Sequence, residues 1–407
     1  RCGPSGNICS EGEKLLKRIK MLSVLMLSTC LLCACTARSA QPQTQPVIEP
    51  IVQQQVEPCP QPQPEPAELP PSRATLLAVG DNLIHDVIYW QAQARAADGG
   101  YDFLPVYSAV SQEIADADLA FINQETPIAA SRPPSSYPLF NSPPQLAQNL
   151  AALGFDIVNL ANNHMLDQGI EGLTETEQAL RENNIPAITG TNGAVPVLER
   201  EGITFSFAGF TEHTNGIPLP QGQEEKITYT DQPERMQQQV KEAAQIADVA
   251  VVSVHWGQEN STTPTPAQRE LAQQLADWGA DIIIGTHPHV LQPVEQLTAA
   301  DGRQVWVLYS LGNFVSAQAD RPNLVGAMAE IAVEKDAASG EISISAPQLA
   351  FTVTMYGPGY SDLHLVQLSD YTDQLAAQHG VAGYCGQPLT PAYIEELLGS
   401  IFPQQSE

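Results

Sequence analysis

Polar residues of one chemical kind recur at the ends of apolar runs in this 407-residue chain. Gly80-Asp81, Asn123-Gln124-Glu125, Asn162-Asn163-His164, His255-Trp256-Gly257 and His287-Pro288-His289 each follow such a run. Imidazole, carboxylate and amide oxygens together suit divalent transition metals such as Mn, Fe or Zn. No cysteine lies in these segments, which disfavours a soft thiolate site. Asp81, Glu125, Asn163, His164, His255, His287 and His289 are therefore candidates for one shared site holding one or two divalent ions. His287 and His289, separated by one residue, can face a common crevice where Pro288 breaks the strand alternation.

Segments so far apart must be gathered by the fold. From residue 75 onward, short runs rich in Val, Ile, Leu and Phe alternate with helical stretches, the pattern of an α/β domain. Strands are expected at 75–79, 119–123, 157–160, 204–209, 249–254, 282–285 and 305–309, and a helix over 268–278, where Leu271, Leu275 and Trp278 share one face. Residues 326–355 alternate around Ala338-Ser339-Gly340 like a hairpin, and 393–401 reads as a short helix. In open α/β sheets, ligands sit beyond the carboxyl ends of the strands, where all five polar segments fall.

Other residues take humbler readings. Asp167 is expected to brace the turn after His164, and Asn163 is also a residue favoured at a helix N-cap. His85, Asn123, Glu259 and Asn313 are candidates for the pocket wall, although a Gly-Asn pair such as Gly312-Asn313 is also an ordinary turn. His213, His364 and His379 lie outside every motif and read as surface or locally bonded histidines.

The formal net charge is −28, from 46 acidic and 18 basic residues. Six of each lie in the first 72 residues, which leaves 40 acidic against 12 basic beyond them. Such a domain is no nucleic-acid binder, because phosphate neutralisation needs clustered Lys and Arg. Six of seven cysteines precede it, so no disulfide framework is readable. Lys14, Lys17, Arg18 and Lys20 precede the apolar run 21–32, which ends Leu32-Cys33-Ala34-Cys35. This layout reads as a secretory signal ending in a bacterial lipobox, with Cys35 as the lipidated residue; an uncleaved membrane anchor is the alternative. Residues 36–72, dominated by Pro and Gln, read as a disordered spacer reaching roughly 110 Å at about 3.1 Å per residue. The expected organisation is a signal segment at 1–35, this linker, one domain at 73–375, and a C-terminal extension at 376–407 packed on the domain or partly disordered.

The motifs resemble those of the CapA-type capsule or poly-gamma-glutamate biosynthesis proteins, over roughly residues 75–314. The likeness rests on Val79-Gly80-Asp81, Asn123-Gln124-Glu125-Thr126-Pro127, Leu160-Ala161-Asn162-Asn163-His164 with Asp167, His255-Trp256-Gly257 with Glu259, Gly285-Thr286-His287-Pro288-His289-Val290, and Ser310-Leu311-Gly312-Asn313-Phe314. It implies a calcineurin-like metallophosphatase fold, a β-sandwich flanked by helices. It also implies roles: Asp81 and His289 on a first metal, Glu125 bridging, Asn163, His255 and His287 on a second, and His164 facing substrate as the catalytic residue. Two departures stand out. Leu83 occupies the histidine position of the phosphatase Asp-x-His pattern, leaving His85 as a substitute, and Glu125 stands where the fold usually has a bridging Asp.

The resemblance thus implies a membrane-tethered, extracytoplasmic protein of capsule or poly-gamma-glutamate biosynthesis, working with polymer synthesis or export proteins of the membrane. The residue set itself supports a metal-dependent phosphomonoesterase or phosphodiesterase acting on a cell-envelope substrate. A non-catalytic polymer-binding or scaffolding subunit is the third reading. The acid excess disfavours broad binding of a polyanion, so an anionic polymer or phosphoester would be held at the metal site.

Overall fold

The computed structural model describes residues 71–403; the signal segment, Cys35 and the spacer up to Pro70 lie outside the described residues. Each run expected as a strand forms one. β1 (Ser72–Asn82), β2 (Leu119–Gln124), β3 (Ile157–Asn159) and β4 (Ala187–Thr189) are followed by β5 (Val197–Arg200), β6 (Ile203–Thr211) and β7 (Val249–His255). Then come β8 (Ile282–Thr286), β9 (Val294–Thr298), β10 (Gln304–Leu308), β11 (Asn313–Val315), β12 (Val325–Lys335), β13 (Ile342–Ile344), β14 (Gln348–Met355) and β15 (His364–Gln367). They build a nine-stranded sheet, ordered β15-β14-β12-β1-β2-β3-β4 with β11 on β1 and β13 on β12, and a six-stranded sheet ordered β5-β6-β7-β8-β10-β9.

Side-chain parity explains the layering. Val249 and Val251 of β7, with Ile282 and Ile284 of β8, join the core that both sheets share. Their neighbours Val252, Val254 and Ile283 point the other way, into a second core. Both β7 and β8 are buried at every position, as parallel strands covered on two faces must be. The first sheet is covered by α1 (Asp86–Arg95), α2 (Ser111–Asp116), α3 (Gln145–Leu153) and α4 (Gly169–Glu182), through residues such as Ile88, Leu150 and Leu180. On the second sheet, α5 (Pro233–Ile246) and α6 (Pro266–Trp278) bury Met236, Val240 and Leu275. The result is the helix-flanked β-sandwich expected from the sequence.

Helix α6 starts two residues before the periodic stretch because its cap lies upstream. Thr265 accepts the Gln268 N–H while the Gln268 side chain takes the Thr265 N–H, and Pro266 occupies the first turn. The expected hairpin appears as β12 to β14, and 376–403 packs on the domain through Ala376, Val381, Leu389, Ile394 and Ile401.

One device fixes the entry edge of both sheets. An aspartate stands immediately before each of four parallel strands, and its carboxylate takes a backbone N–H of the neighbouring strand. Asp118 accepts from Thr75 at 2.8 Å, Asp156 from Ala120 at 3.0 Å, Asp248 from Thr204 at 2.9 Å and Asp281 from Ala250 at 2.8 Å. These donors would otherwise be orphaned at the ladder ends. Arg200, Lys335 and Arg303 neutralise Asp156, Asp248 and Asp281 at 2.7–2.8 Å. The opposite, exit edge is left to the polar segments.

Candidate functional site

Strand register sets the site residues side by side. Asp81 pairs with Asn123 on one flank and Asn313 on the other, Asn123 pairs with Asn159, and His255 pairs with Thr286. Gly80 makes this possible, since a Cβ there would lie 1.9 Å from the Gly312 carbonyl oxygen. The close approach lets the Asp81 N–H reach that same oxygen at 3.0 Å.

From this frame an amide relay runs to the carboxylate. Asn159 donates to Asn123 Oδ1 at 2.9 Å, and Asn123 donates to Asp81 Oδ1 at 2.8 Å. Asp81 Oδ2 accepts the His287 backbone N–H at 3.2 Å and faces His289 Nδ1 at 3.1 Å. His289 Nδ1 also lies 3.1 Å from Asn313 Oδ1. Both neighbours are acceptors, so Nδ1 carries the hydrogen and Nε2 presents its lone pair when the ring is neutral. That Nε2 lies 3.6 Å from Glu125 Oε1. On the other side His255 Nε2 lies 3.7 Å from the same oxygen, and 3.1 Å from both Asn163 Oδ1 and His287 Nδ1.

Glu125 is fully buried, and neither carboxylate oxygen meets a hydrogen-bond donor among the described residues. Burial pushes its carboxyl well above the usual range, with Asp81 adding to the rise and His289 opposing it. His255 is held well below the ordinary histidine range by burial and then by His287 and His289. Burial, then the charge of His289, lowers His287 to about 3. Both rings are therefore neutral bases near pH 7. For His289 burial pulls downward, but the carboxylates of Glu125 and Asp81 together outweigh it and raise the pKa to about 9. Lone pairs of a carboxylate, an amide and imidazoles thus converge where few donors exist, and a cation is what such a set accommodates. Ligand atoms of Glu125, His287 and His289, and again of Asp81, Glu125 and His255, lie within 4.8 Å of one another. The residues present fit a divalent ion.

The turn carrying two of these imidazoles is strained. His287 has φ 96° and His289 φ 58°, unusual for non-glycine residues. Such conformations persist where the surroundings over-determine them. Here Asp81 takes the His287 N–H, the Asn260 N–H reaches the Pro288 carbonyl at 2.8 Å, the Asn323 side chain reaches the His289 carbonyl at 3.2 Å, and Ser310 donates to the Val290 carbonyl at 2.7 Å.

His164 Nδ1 lies 2.7 Å from Asp167 Oδ2, an oxygen that also accepts the Phe140 N–H at 2.7 Å. Asp167 thus braces His164, as expected. The N-cap reading of Asn163 does not hold: α4 begins only at Gly169 with Gln168 at its cap, and Asn163 instead turns its amide oxygen to His255. His85 accepts the Ala317 N–H on Nδ1 at 3.2 Å, and burial holds it down at about 4. The Phe140 ring stands edge-on between His85 and His164, with centroids 5.3 and 4.8 Å away. Asn123 and Asn313 are buried beside Asp81 and His289, whereas Glu259 is exposed and acts through its charge on Glu125 and His289.

Several participants were missed in the sequence. His213, read as a surface histidine, is exposed but stands edge-on to His287 with centroids 5.4 Å apart. Asn215 accepts from Asn163 at 3.4 Å, and Thr286 lies 2.9 Å from His255 Nδ1. The signal was available for the first two, because they follow β6 just as the other polar segments follow their strands. His364 and His379 are locally bonded as expected, to the Asp362 carbonyl at 2.6 Å and to the Val381 N–H at 3.1 Å, and His379 is also tied to the more distant Thr354 carbonyl at 3.1 Å.

Two helix-flanked sheets that end in a buried nest of carboxylate, imidazole and amide donors define an α/β protein with a candidate metal centre at its strand ends. The chain belongs to the family described as "Bacterial capsule synthesis protein PGA_cap", whose profile matches residues 75–318. It is 28% identical over 253 residues to the "PGA biosynthesis protein CapA" of Bacillus subtilis, covering 59% of this chain and 62% of that protein. The "Capsule biosynthesis protein CapA" of Bacillus anthracis is 34% identical over 174 residues, 40% of this chain and 41% of the relative. The chain thus spans less than two thirds of either relative's length. A phosphatase of Mycoplasma pneumoniae superposes with a TM-score of 0.44 at 11% identity, over 70% of this chain and 94% of that one, and adds nothing to the assignment. Among the described residues, no helix is long and apolar enough to cross a membrane.

Proposed function

We propose that this chain is a metal-dependent hydrolase of phosphoester type that serves capsule or poly-gamma-glutamate assembly outside the cytoplasm. The observation that carries the reading is Glu125: two buried carboxylate oxygens without a donor among the described residues, one of them 3.6 and 3.7 Å from the Nε2 atoms of His289 and His255. Glu125, Asn163, His255, His287 and His289 would hold the ion. Asp81, whose oxygens accept from Asn123 and the His287 N–H and face His289 Nδ1, fixes the His287-Pro288-His289 turn beside them. A bound divalent ion supplies Lewis-acid polarisation of an anionic substrate oxygen. Asp167 engages His164 Nδ1, so Nε2 is the ring atom left to exchange a proton with a leaving-group oxygen. With 40 acidic against 12 basic residues after residue 72, broad attraction of an anionic substrate across the surface is disfavoured, and this centre would supply it locally.

Hydrolysis of a chromogenic phosphomonoester and a phosphodiester, together with metal content, tests the reading. His164→Ala and His287→Ala should both lose activity, and only His287→Ala should lose metal. Metal-loaded wild type that cleaves neither ester would overturn it in favour of a non-catalytic, polymer-binding subunit. The same proposal holds the domain to the membrane by a lipid on Cys35, beside polymer synthesis or export proteins. Labelled fatty acid should enter wild type and not Cys35→Ala; equal labelling would contradict the anchor.

A further inference from the structure

Behind the His289 turn lies a cavity of about 440 Å³, lined by Asn260, Asp320, Arg321, Asn323, Gln387 and Tyr393 among others. Its size is in the range of small-molecule sites. Asn323 forms the wall between cavity and metal centre: its side-chain amide donates to the His289 carbonyl at 3.2 Å and to Asn260 Oδ1 at 2.8 Å, and its carbonyl accepts from Asn313 at 3.0 Å. An occupant would rest against the backbone that carries His289.

Two charges of opposite sign face this space, and neither is ion-paired among the described residues. Arg321 is half-buried rather than freely solvated. Its guanidinium stacks on the Tyr393 ring, 3.7 Å from the centroid, and reaches the Pro388 carbonyl at 3.4 Å. Stacking pre-organises the planar donor fork, which suits a carboxylate. Asp320 opens the short 3-10 turn 321–324, where its carbonyl accepts the Asn323 N–H at 3.1 Å, while its side chain makes no hydrogen bond among the described residues. Arg321 is held in place by its ring stack and the Pro388 contact and not by a carboxylate, and a carboxylate on the next residue selects against simple anions. Asn260, Asn323 and Gln387 surround the pair with uncharged amides.

We propose that this cavity recognises an α-amino-acid-type zwitterion, its carboxylate on Arg321 and its ammonium on Asp320. The ligand is a free amino acid or the amino-acid end of a peptide-like polymer. The proposal does not depend on the hydrolase reading, because the charges lie outside the metal donor set and binding is measured without metal.

Calorimetric titration of the full chain in chelator, at low salt and neutral pH, tests it with L-glutamate, γ-L-glutamyl-L-glutamate and N-acetyl-L-glutamate. Wild type should bind at least one of the first two saturably, and the N-acetyl compound, which lacks the ammonium, roughly tenfold more weakly. Asp320→Asn should erase that tenfold preference, and Arg321→Gln should abolish binding of all three. Asp320 is exposed, so its variant keeps the test valid if loss of the Arg321 stack disturbs folding. Tighter binding of the dipeptide than of glutamate assigns the site to a polymer end, and the reverse order to a free amino acid. No saturable binding, or an N-acetyl compound that binds wild type as tightly as the free amine, overturns the proposal.

Discussion

Replacing Glu125 with glutamine should have opposite effects in the presence and absence of metal. The side chain is fully buried with both oxygens unsatisfied among the described residues, and leaving a buried polar group unpaired costs about 1–3 kcal/mol, more when charged. Glutamine keeps the shape, removes the buried charge and offers an N–H donor toward the neutral His255 ring, whose Nε2 lies 3.7 Å away. In chelator, Glu125→Gln should therefore be more stable than wild type by about 1–3 kcal/mol. At about 2–4 °C per kcal/mol for a domain of 150–250 residues, and less for a larger one, the melting temperature should rise by roughly 2–5 °C. With Mn²⁺ at a hundredfold excess over Kd, wild type should gain about 2.7 kcal/mol and the variant almost nothing. Differential scanning calorimetry of both proteins with and without metal reads all four values. A metal-free variant less stable than metal-free wild type, or equal stabilisation of both by Mn²⁺, would refute the reasoning.

Thr286→Val removes the partner 2.9 Å from His255 Nδ1 and should weaken metal binding about 10- to 100-fold without unfolding the domain, measured by competition with a chromogenic chelator. Gly80→Ala should fail to fold or lose several degrees of melting temperature, because its Cβ would fall 1.9 Å from the Gly312 oxygen; retention of wild-type stability would show that the β1 end can move. His379, held down at about 4 by burial against the hydrogen bond to Thr354, gives a pH dependence of known sign. The unfolded chain binds this proton below about pH 6.5 and the folded chain only near 4, so the stabilisation is complete above 6.5 and is lost as pH falls toward 4. After discounting for solvent screening the loss is roughly 2 kcal/mol, and urea unfolding of His379→Gln between pH 7.5 and 4.5 should show a correspondingly flatter profile.

The principal strands and the gathered site were legible because apolar runs with polar ends carry their own geometry. Asp81, Glu125, Asn163, His255, His287 and His289 meet where strand ends were expected to bring them. What stayed hidden depends on register and on contacts between distant segments. Three-residue strands such as β4 and β11 are too short to show periodicity. The Asn159-Asn123-Asp81 relay exists only because β3, β2 and β1 align in parallel register. Asn163 sits in a turn six residues before its helix, so residue type alone misled the N-cap reading. The four strand-entry aspartates could have been found by reading strand starts as carefully as strand ends.

The central claim is that the strand ends hold a divalent ion. Elemental analysis by inductively coupled plasma mass spectrometry, after purification without affinity metals, tests it most directly. Wild type should retain at least one transition-metal ion per chain after dialysis against metal-free buffer, and Glu125→Gln should retain far less. Wild type without bound metal, unable to take up Mn²⁺, Fe²⁺ or Zn²⁺ on titration, would contradict the account.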